Sequence, residues 1–198
     1  MARATTIYLG TAEGLLIGSQ EGPQGHWRLA RHALLGHAVR AILLVGEEAL
    51  LVAVDGLPPQ QSFDEGLSWS NATGASIEPV GLRAMSATGP RHLSNPRLLG
   101  ATAYAILGGR APVLVGAGAG GGMLFRSFDD GIHWEPAGVV GEVAGRITAI
   151  TPGAGALWAG TDAGQLLRSN DRGASWREAG RTSMAILCLA AGPQRSCG

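Results

Sequence analysis

All fifteen basic residues of this chain are arginines, and the lack of lysine removes Schiff-base formation, a phosphate-loop lysine and a lysine general base from its chemistry. The other groups able to act are two tyrosines, five histidines, two cysteines and fifteen acidic residues. Two carboxylates across a cleft could serve glycosidic acid–base work, although one sequence does not reveal which two would face each other. Tyr8 and Tyr104 both fall inside predicted strands, a poor setting for a nucleophile. The histidines show no metal-ligand spacing, so no metal and no other cofactor is expected. Cys188 and Cys197 fit neither a zinc nor a CxxC pattern, and a buried thiol plus a tail thiol is expected rather than a disulfide.

These groups need a scaffold, and the sequence bounds it. A chain of 198 residues, 45 % of them hydrophobic, suffices for one domain with a buried core. Fifteen acidic residues balance the fifteen arginines, so no global field attracts a polyphosphate or an anionic membrane, and nucleic acid is not an expected partner. Neither a signal-peptide run nor an apolar stretch of membrane-spanning length is visible, which leads to an expectation of a cytoplasmic protein.

With 32 glycines and ten prolines, short strands and many turns are expected, and the sequence repeats itself. Ser62-Phe63-Asp64-Glu65-Gly66-Leu67-Ser68-Trp69, Ser127-Phe128-Asp129-Asp130-Gly131-Ile132-His133-Trp134 and Ser169-Asn170-Asp171-Arg172-Gly173-Ala174-Ser175-Trp176 all read S-x-D-x-G-x-x-W. A decayed copy runs from Ser19 through Glu21 and Gly25 to Trp27. The tryptophans that end successive copies lie 42, 65 and 42 residues apart, so the unit is a propeller-blade length with one insertion.

Strands align ahead of each octapeptide. Ile7–Thr11, Leu50–Val54, Val113–Ala117 and Leu157–Thr161 occupy one position, and the apolar runs Val39–Val45, Thr102–Gly108 and Arg146–Pro152 precede the last three as inner strands. The first unit lacks such a strand, whereas the C-terminus carries a spare one, Ser183–Leu189. Pairing the two ends in one blade would satisfy both sets of backbone groups and close a ring. The predicted fold is therefore all-β, a small β-propeller of about four four-stranded blades in a single domain, 1–198. Its parts are blade 1 (183–198 plus 5–30), blade 2 (38–70), an insertion (71–100), blade 3 (101–137) and blade 4 (145–180).

The octapeptide suits a tight turn between third and fourth strands. Asp64, Asp129 and Asp171, helped by Ser62, Ser127 and Ser169, can accept from unpaired backbone N–H groups. Gly66, Gly131 and Gly173 supply positive φ, and Trp69, Trp134 and Trp176 return to cover the gap between sheets. In these residues the chain resembles the Asp-box, or BNR, repeat family, whose motif also occurs in sialidases, sortilin-type receptors, xyloglucanase-like glycosidases and photosystem assembly factors. The resemblance implies a structural role for the box residues, on the rim away from the usual site. A sialidase site would also need an arginine cluster and the family's Arg-Ile-Pro-type entry motif, which this sequence lacks.

In such propellers ligands bind on the face opposite the boxes. Candidates there are Glu13, Asp55 and Asp162 after the second strands, with Arg28, Arg31, His32, His37, Glu135, Glu142, Arg177 and Arg181 in the crossings between blades. The insertion adds Arg83, Arg91, His92 and Arg97 and reads either as a binding loop or, through Leu82–Ala87, as the remnant of a fifth blade. The glycine run 116–122 contains GxGxxG but leads into a strand, so it is read as a hairpin rather than a dinucleotide site. Pro58 and Pro59 should weaken the third strand of blade 2.

The function expected is a non-enzymatic binding or assembly scaffold that presents loops to a protein partner. The alternative is a carbohydrate-active propeller, a glycoside hydrolase or a glycan-binding module. Both a monomer and a strand-swapped oligomer fit the terminal strand.

Overall fold

A computed structural model describes residues 5–22, 25–45, 49–72, 104–107, 113–117, 123–128 and 135–193. Among these described residues every regular element is a strand. Strands β1 (Thr5–Thr11), β2 (Gly14–Gln20) and β3 (Arg28–Ala33) form blade 1, and β4 (Val39–Val45), β5 (Ala49–Val54), β6 (Gln60–Ser62) and β7 (Ser70–Asn71) form blade 2. Blade 3 holds β8 (Tyr104–Leu107), β9 (Val113–Ala117), β10 (Leu124–Ser127) and β11 (Glu135–Pro136). In blade 4, β13 (Ile147–Gly153), β14 (Ala156–Thr161), β15 (Gln165–Ser169) and β16 (Ser175–Arg181) run antiparallel, while β12 (Gly138–Val140) adds in parallel to the outer edge.

The last strand, β17 (Cys188–Pro193), pairs antiparallel with β1 and is the innermost strand of blade 1, with Gly10 opposite Cys188 and Thr5 opposite Pro193. The chain is thus a β-propeller shut by its own ends, which removes two exposed sheet edges at once. The closing strand begins later than the expected Ser183–Leu189. Ile186 N–H donates to Thr161 O (3.0 Å) and Leu187 N–H to Gly10 O (2.7 Å), so these residues bridge blade 4 to blade 1 before β17 starts. Innermost strands pack in the order β4, β17, β13, β8.

Side-chain alternation divides the core between blade interfaces. Trp158, Leu166, Ala179 and Ile186 meet Leu9, Leu16 and Trp27 at the seam of blades 4 and 1. Tyr8, Leu15 and Ile17 meet Val39, Leu50 and Val52 between blades 1 and 2. Trp27, Trp69 and Trp176 each lie in a cluster shared with the preceding blade, which is the gap-covering role expected of them.

A second repeated signal sets the outer strands. Trp-x-x-Ala recurs at Trp27–Ala30, Trp69–Ala72, Trp134–Ala137 and Trp176–Ala179. In blades 1 and 4 the ladder skips that alanine, because Gly18 faces Leu29 while Ile17 faces Arg31, and Leu167 faces Glu178 while Leu166 faces Gly180. Such a bulge bends a strand and raises its twist. Beyond these positions the outer strands of blades 3, 4 and 1 meet the next blade: β12 follows Ala137 onto β16, Ala179 O accepts from Trp27 N (2.6 Å), and Arg31 Nη1 donates to Glu65 O (3.2 Å).

The third strand of blade 2 is only Gln60–Ser62, as the two prolines before it predict. β9 and β10 are antiparallel neighbours, as a hairpin through the glycine run requires. Most of the insertion, residues 73–100, lies outside the described residues, and with it Arg83, Arg91, His92 and Arg97. Among the described residues no helix is long and apolar enough to cross a membrane.

Candidate functional site

The octapeptide turns show how this sequence holds its loops. Asp64 Oδ1 accepts from Ser62 Oγ and from Ser68 N, both at 2.8 Å, and its Oδ2 accepts from Ser68 Oγ at 2.5 Å. Ser62 Oγ in turn accepts from Gly66 N at 2.7 Å. Asp171, Ser169, Ser175 and Gly173 repeat every one of these bonds in blade 4. Asp129, Gly131 and Trp134 of the third copy lie outside the described residues, while its Ser127 is buried at the end of β10. Gly66 and Gly173 both sit at φ +83°, and Glu65 and Arg172 before them are also left-handed at 57° and 58°. The sequence reading missed those two non-glycine positions; they are tolerated because four fixed hydrogen bonds over-determine the turn. A Cβ on Gly66 would stand 2.4 Å from Ile17 Cδ1, so a larger residue there would also have to displace the tip of that side chain in blade 1.

Donors from the Ser68 side chain, the Ser68 backbone and Ser62 hold the Asp64 carboxyl down at about 2. For Asp171 burial pushes upward, but the donors of Ser175 and Ser169 outweigh it and the net displacement is downward.

On the face opposite these turns the structure gathers Glu13, Asp55 and Asp162, at the ends of second strands, with the crossings 34–38, 141–146 and 182–187. Asp55 accepts from Arg40 Nε (2.9 Å) and Nη2 (2.7 Å). Asp162 accepts from Arg146 N (2.7 Å) and Nε (3.0 Å). The two aspartates occupy equivalent places at the end of the second strand, each bonding back to the residue before the inner strand (Asp55 N to Ala38 O, Asp162 N to Arg146 O), but the arginines differ: Arg146 is that preceding residue, whereas Arg40 lies two positions further along, inside β4. Arginine bonding lowers Asp55, and the Arg146 backbone and side chain lower Asp162. Arg40 and Arg146 escaped the sequence reading as site residues, although Arg40 is the second residue and Arg146 the first of their predicted inner strands. Leu35, 65 % exposed, and Leu57 lie on the same face.

The other candidates lie elsewhere. Arg28, Arg31 and His32 belong to β3 rather than to the crossing after it, and Arg177 and Arg181 to β16. Arg28 and Arg31 stand opposite Ser19 and Ile17, on the side of β2 that faces blade 2. Arg181 bonds Glu178, whose Oε2 also accepts from Gln165 Nε2 at 2.6 Å. Glu135 pairs with Arg126 across β10 and β11. No group of three metal-ligating side chains comes together among the described residues.

No family model and no curated protein matches the chain. Among solved structures, it is similar to YCF48 bound to a D1 peptide, with 13 % identity, 94 % of this chain, 47 % of the other and a TM-score of 0.34. A nidogen/laminin complex gives 10 % identity over 94 % and 98 % of the chains, with a TM-score of 0.46. The GH74 enzyme of Niastella koreensis gives 14 % identity over 89 % and 24 %, with a TM-score of 0.28. The chain spans about half the length of the YCF48 structure. The fold assignment rests on this chain's own strand pairing.

Proposed function

We propose that this chain is an Asp-box propeller, one domain over 1–198, that works as a non-enzymatic binding or assembly module and offers the face opposite the boxes to a protein partner. The carrying observation is that two equivalent aspartates on that face, Asp55 and Asp162, are each engaged by an arginine, Arg40 and Arg146, on a face that also exposes Leu35 and Leu57. Mixed charge around exposed apolar side chains suits protein recognition. A glycoside hydrolase would need one carboxyl displaced upward to act as an acid. The described carboxyls with displaced equilibria, Asp55, Asp64, Asp162, Asp171 and Glu178, all move downward. Arg83, Arg91, His92 and Arg97 remain proposed contributors to recognition, as do Arg28, Arg31, His32 and Arg177 at the blade edges.

Photo-crosslinkers placed at Leu35 and Leu57, followed by mass spectrometry and a binding titration with the captured protein, test this reading. Binding should be saturable, lost in the Leu35→Asp/Leu57→Asp double variant and kept in Phe63→Ser on the box face. Turnover of a polysaccharide that disappears in an Asp→Asn or Glu→Gln variant would replace it with the hydrolase reading.

A further inference from the structure

The outer edges of the four blades differ. The last strand of a sheet presents unpaired N–H and C=O groups on which another chain can build, so folds shorten, cover or interrupt such edges. Blade 2 ends in the two-residue β7, and blade 3 ends in β11, where Pro136 supplies no N–H. In blade 4 the outer strand β16 is covered by β12, three residues that run in parallel along Ser175–Arg177. Blade 1 has none of these devices. Its outer strand β3 is six residues long, contains no proline and is last in the order β17-β1-β2-β3, with no strand beyond it among the described residues. The bond from Trp27 N–H to Ala179 O reaches only the residue ahead of the strand. Because backbone groups alternate with a period of two, Leu29 N–H points outward as Trp27 N–H does. Leu29 also holds the place of Pro136, two residues after its blade's tryptophan.

The side chains of this edge define what it can pair with. Arg28 and Leu29 are exposed, on opposite sides of the sheet, Leu29 at 53 %. Arg28 and Arg31 share the side turned to blade 2, and β3 carries no acidic residue. Arg31 reaches the backbone oxygen of Glu65, whereas Arg28 has no hydrogen-bond or ion-pair partner among the described residues. A second copy of the chain is a poor occupant, since β3 set antiparallel against itself brings the arginines of both copies together, and like charges across a ladder destabilise it. We propose that β3 is a docking edge for an extended acidic segment of a partner protein, added to blade 1 as a fifth strand in the way that β12 is added to blade 4. Alternate acidic side chains lie along Arg28 and Arg31, the apolar ones between them lie beside Leu29, and main-chain hydrogen bonds supply the remaining affinity. The edge runs along the outer wall of blade 1, so this inference does not depend on the binding face proposed above.

The test is an NMR titration of the whole isotope-labelled protein with the peptide acetyl-Glu-Val-Glu-Val-Glu-Val-Glu-amide at constant ionic strength. Saturable shifts should centre on the amides of Leu29–Ala33, with slowed hydrogen exchange at Leu29. The same peptide with every peptide nitrogen methylated cannot form the ladder and should not bind, and one with arginine in place of glutamate should bind about tenfold more weakly or worse. Leu29→Pro copies the edge of blade 3, so the fold should persist while peptide affinity falls about tenfold or more. Arg28→Glu should weaken the acidic peptide and strengthen the arginine peptide. The Leu35→Asp/Leu57→Asp variant should bind the acidic peptide as the wild type does, which separates this edge from the other face. Shifts that never saturate or that centre away from β3, equal binding of the two charged peptides, or unchanged affinity in folded Leu29→Pro overturns the proposal. So does a wild-type dimer that Leu29→Pro turns into a monomer, since the edge then belongs to a second copy.

Discussion

The seam that closes the ring offers a sharp energetic test in Arg168 and Gln20, which meet across blades 4 and 1. Arg168→Met keeps an unbranched stem against Trp158 and removes the donors to Gln20 Oε1 and Gly22 O. Two charge-assisted hydrogen bonds are worth about 1.5–3 kcal/mol each. Removing a buried cation also relieves a desolvation cost of several kcal/mol, so the net loss should be only about 2 kcal/mol. Gln20→Ala works the other way, because it strands the charge and leaves Gly22 O as its one remaining hydrogen-bond acceptor. It should cost about 2–3 kcal/mol, as much as the arginine itself despite removing a smaller and neutral side chain. Since the double variant has nothing left to strand, the cycle should give a coupling of about 1–2 kcal/mol. Urea unfolding in phosphate-free buffer measures all four proteins, and a 2 kcal/mol change corresponds to about 4–8 °C in midpoint for a chain of this size. Additivity within about 0.3 kcal/mol, or a Gln20→Ala cost well below that of Arg168→Met, would refute the claim that an uncompensated buried charge holds this seam.

Other consequences are simpler. Asp64 is held near 2 against about 3.9 unfolded, so its contribution to stability is present above the unfolded value and fades as pH falls through the folded one; the slope of unfolding midpoint between about pH 4 and 2 should flatten in Asp64→Asn. Burial pushes the Cys188 thiol up to about 12, so peptide mapping after iodoacetamide at pH 8 should find it unmodified in the native protein and labelled in urea. Trp176 is 1 % exposed and donates Nε1–H to Gly173 O, and Trp176→Ala should cost about 3–5 kcal/mol in chemical unfolding. At Gly164, φ is +79° and a Cβ would lie 2.1 Å from Thr182 O; Gly164→Ala should therefore lower the thermal midpoint more than Gly56→Ala, whose added methyl meets nothing within 4 Å.

Much of the scaffold was legible because propeller blades are local. Apolar runs recurring at one repeat position mark the second strands, and β9 and the inner strand β4 carry the bounds read from the sequence. Asp64, Asp171 and their serines close turns within eight residues, so type and spacing alone specify them. Pro58 and Pro59 likewise announce a short β6. Trp-x-x-Ala was equally present as a repeat, but its meaning was hidden, since a bulge shows only when two strands are laid side by side.

The site depended on distance in sequence. Whether Asp55 and Asp162 are open carboxylates or closed clamps turns on Arg40 and Arg146, fifteen and sixteen residues away, brought close by antiparallel pairing. The true start of the closing strand was likewise set by Thr161 O and Gly10 O, which capture Ile186 and Leu187 before β17 begins. Arg168 looks like any strand arginine until blade 1 folds over it and Arg177 falls opposite. Residue types and local spacing determined the blades and their turns, because those interactions span a few residues. Tertiary structure alone decided which charges are paired and which are buried alone, because burial and electrostatic partnership depend on segments that meet only when the ring closes.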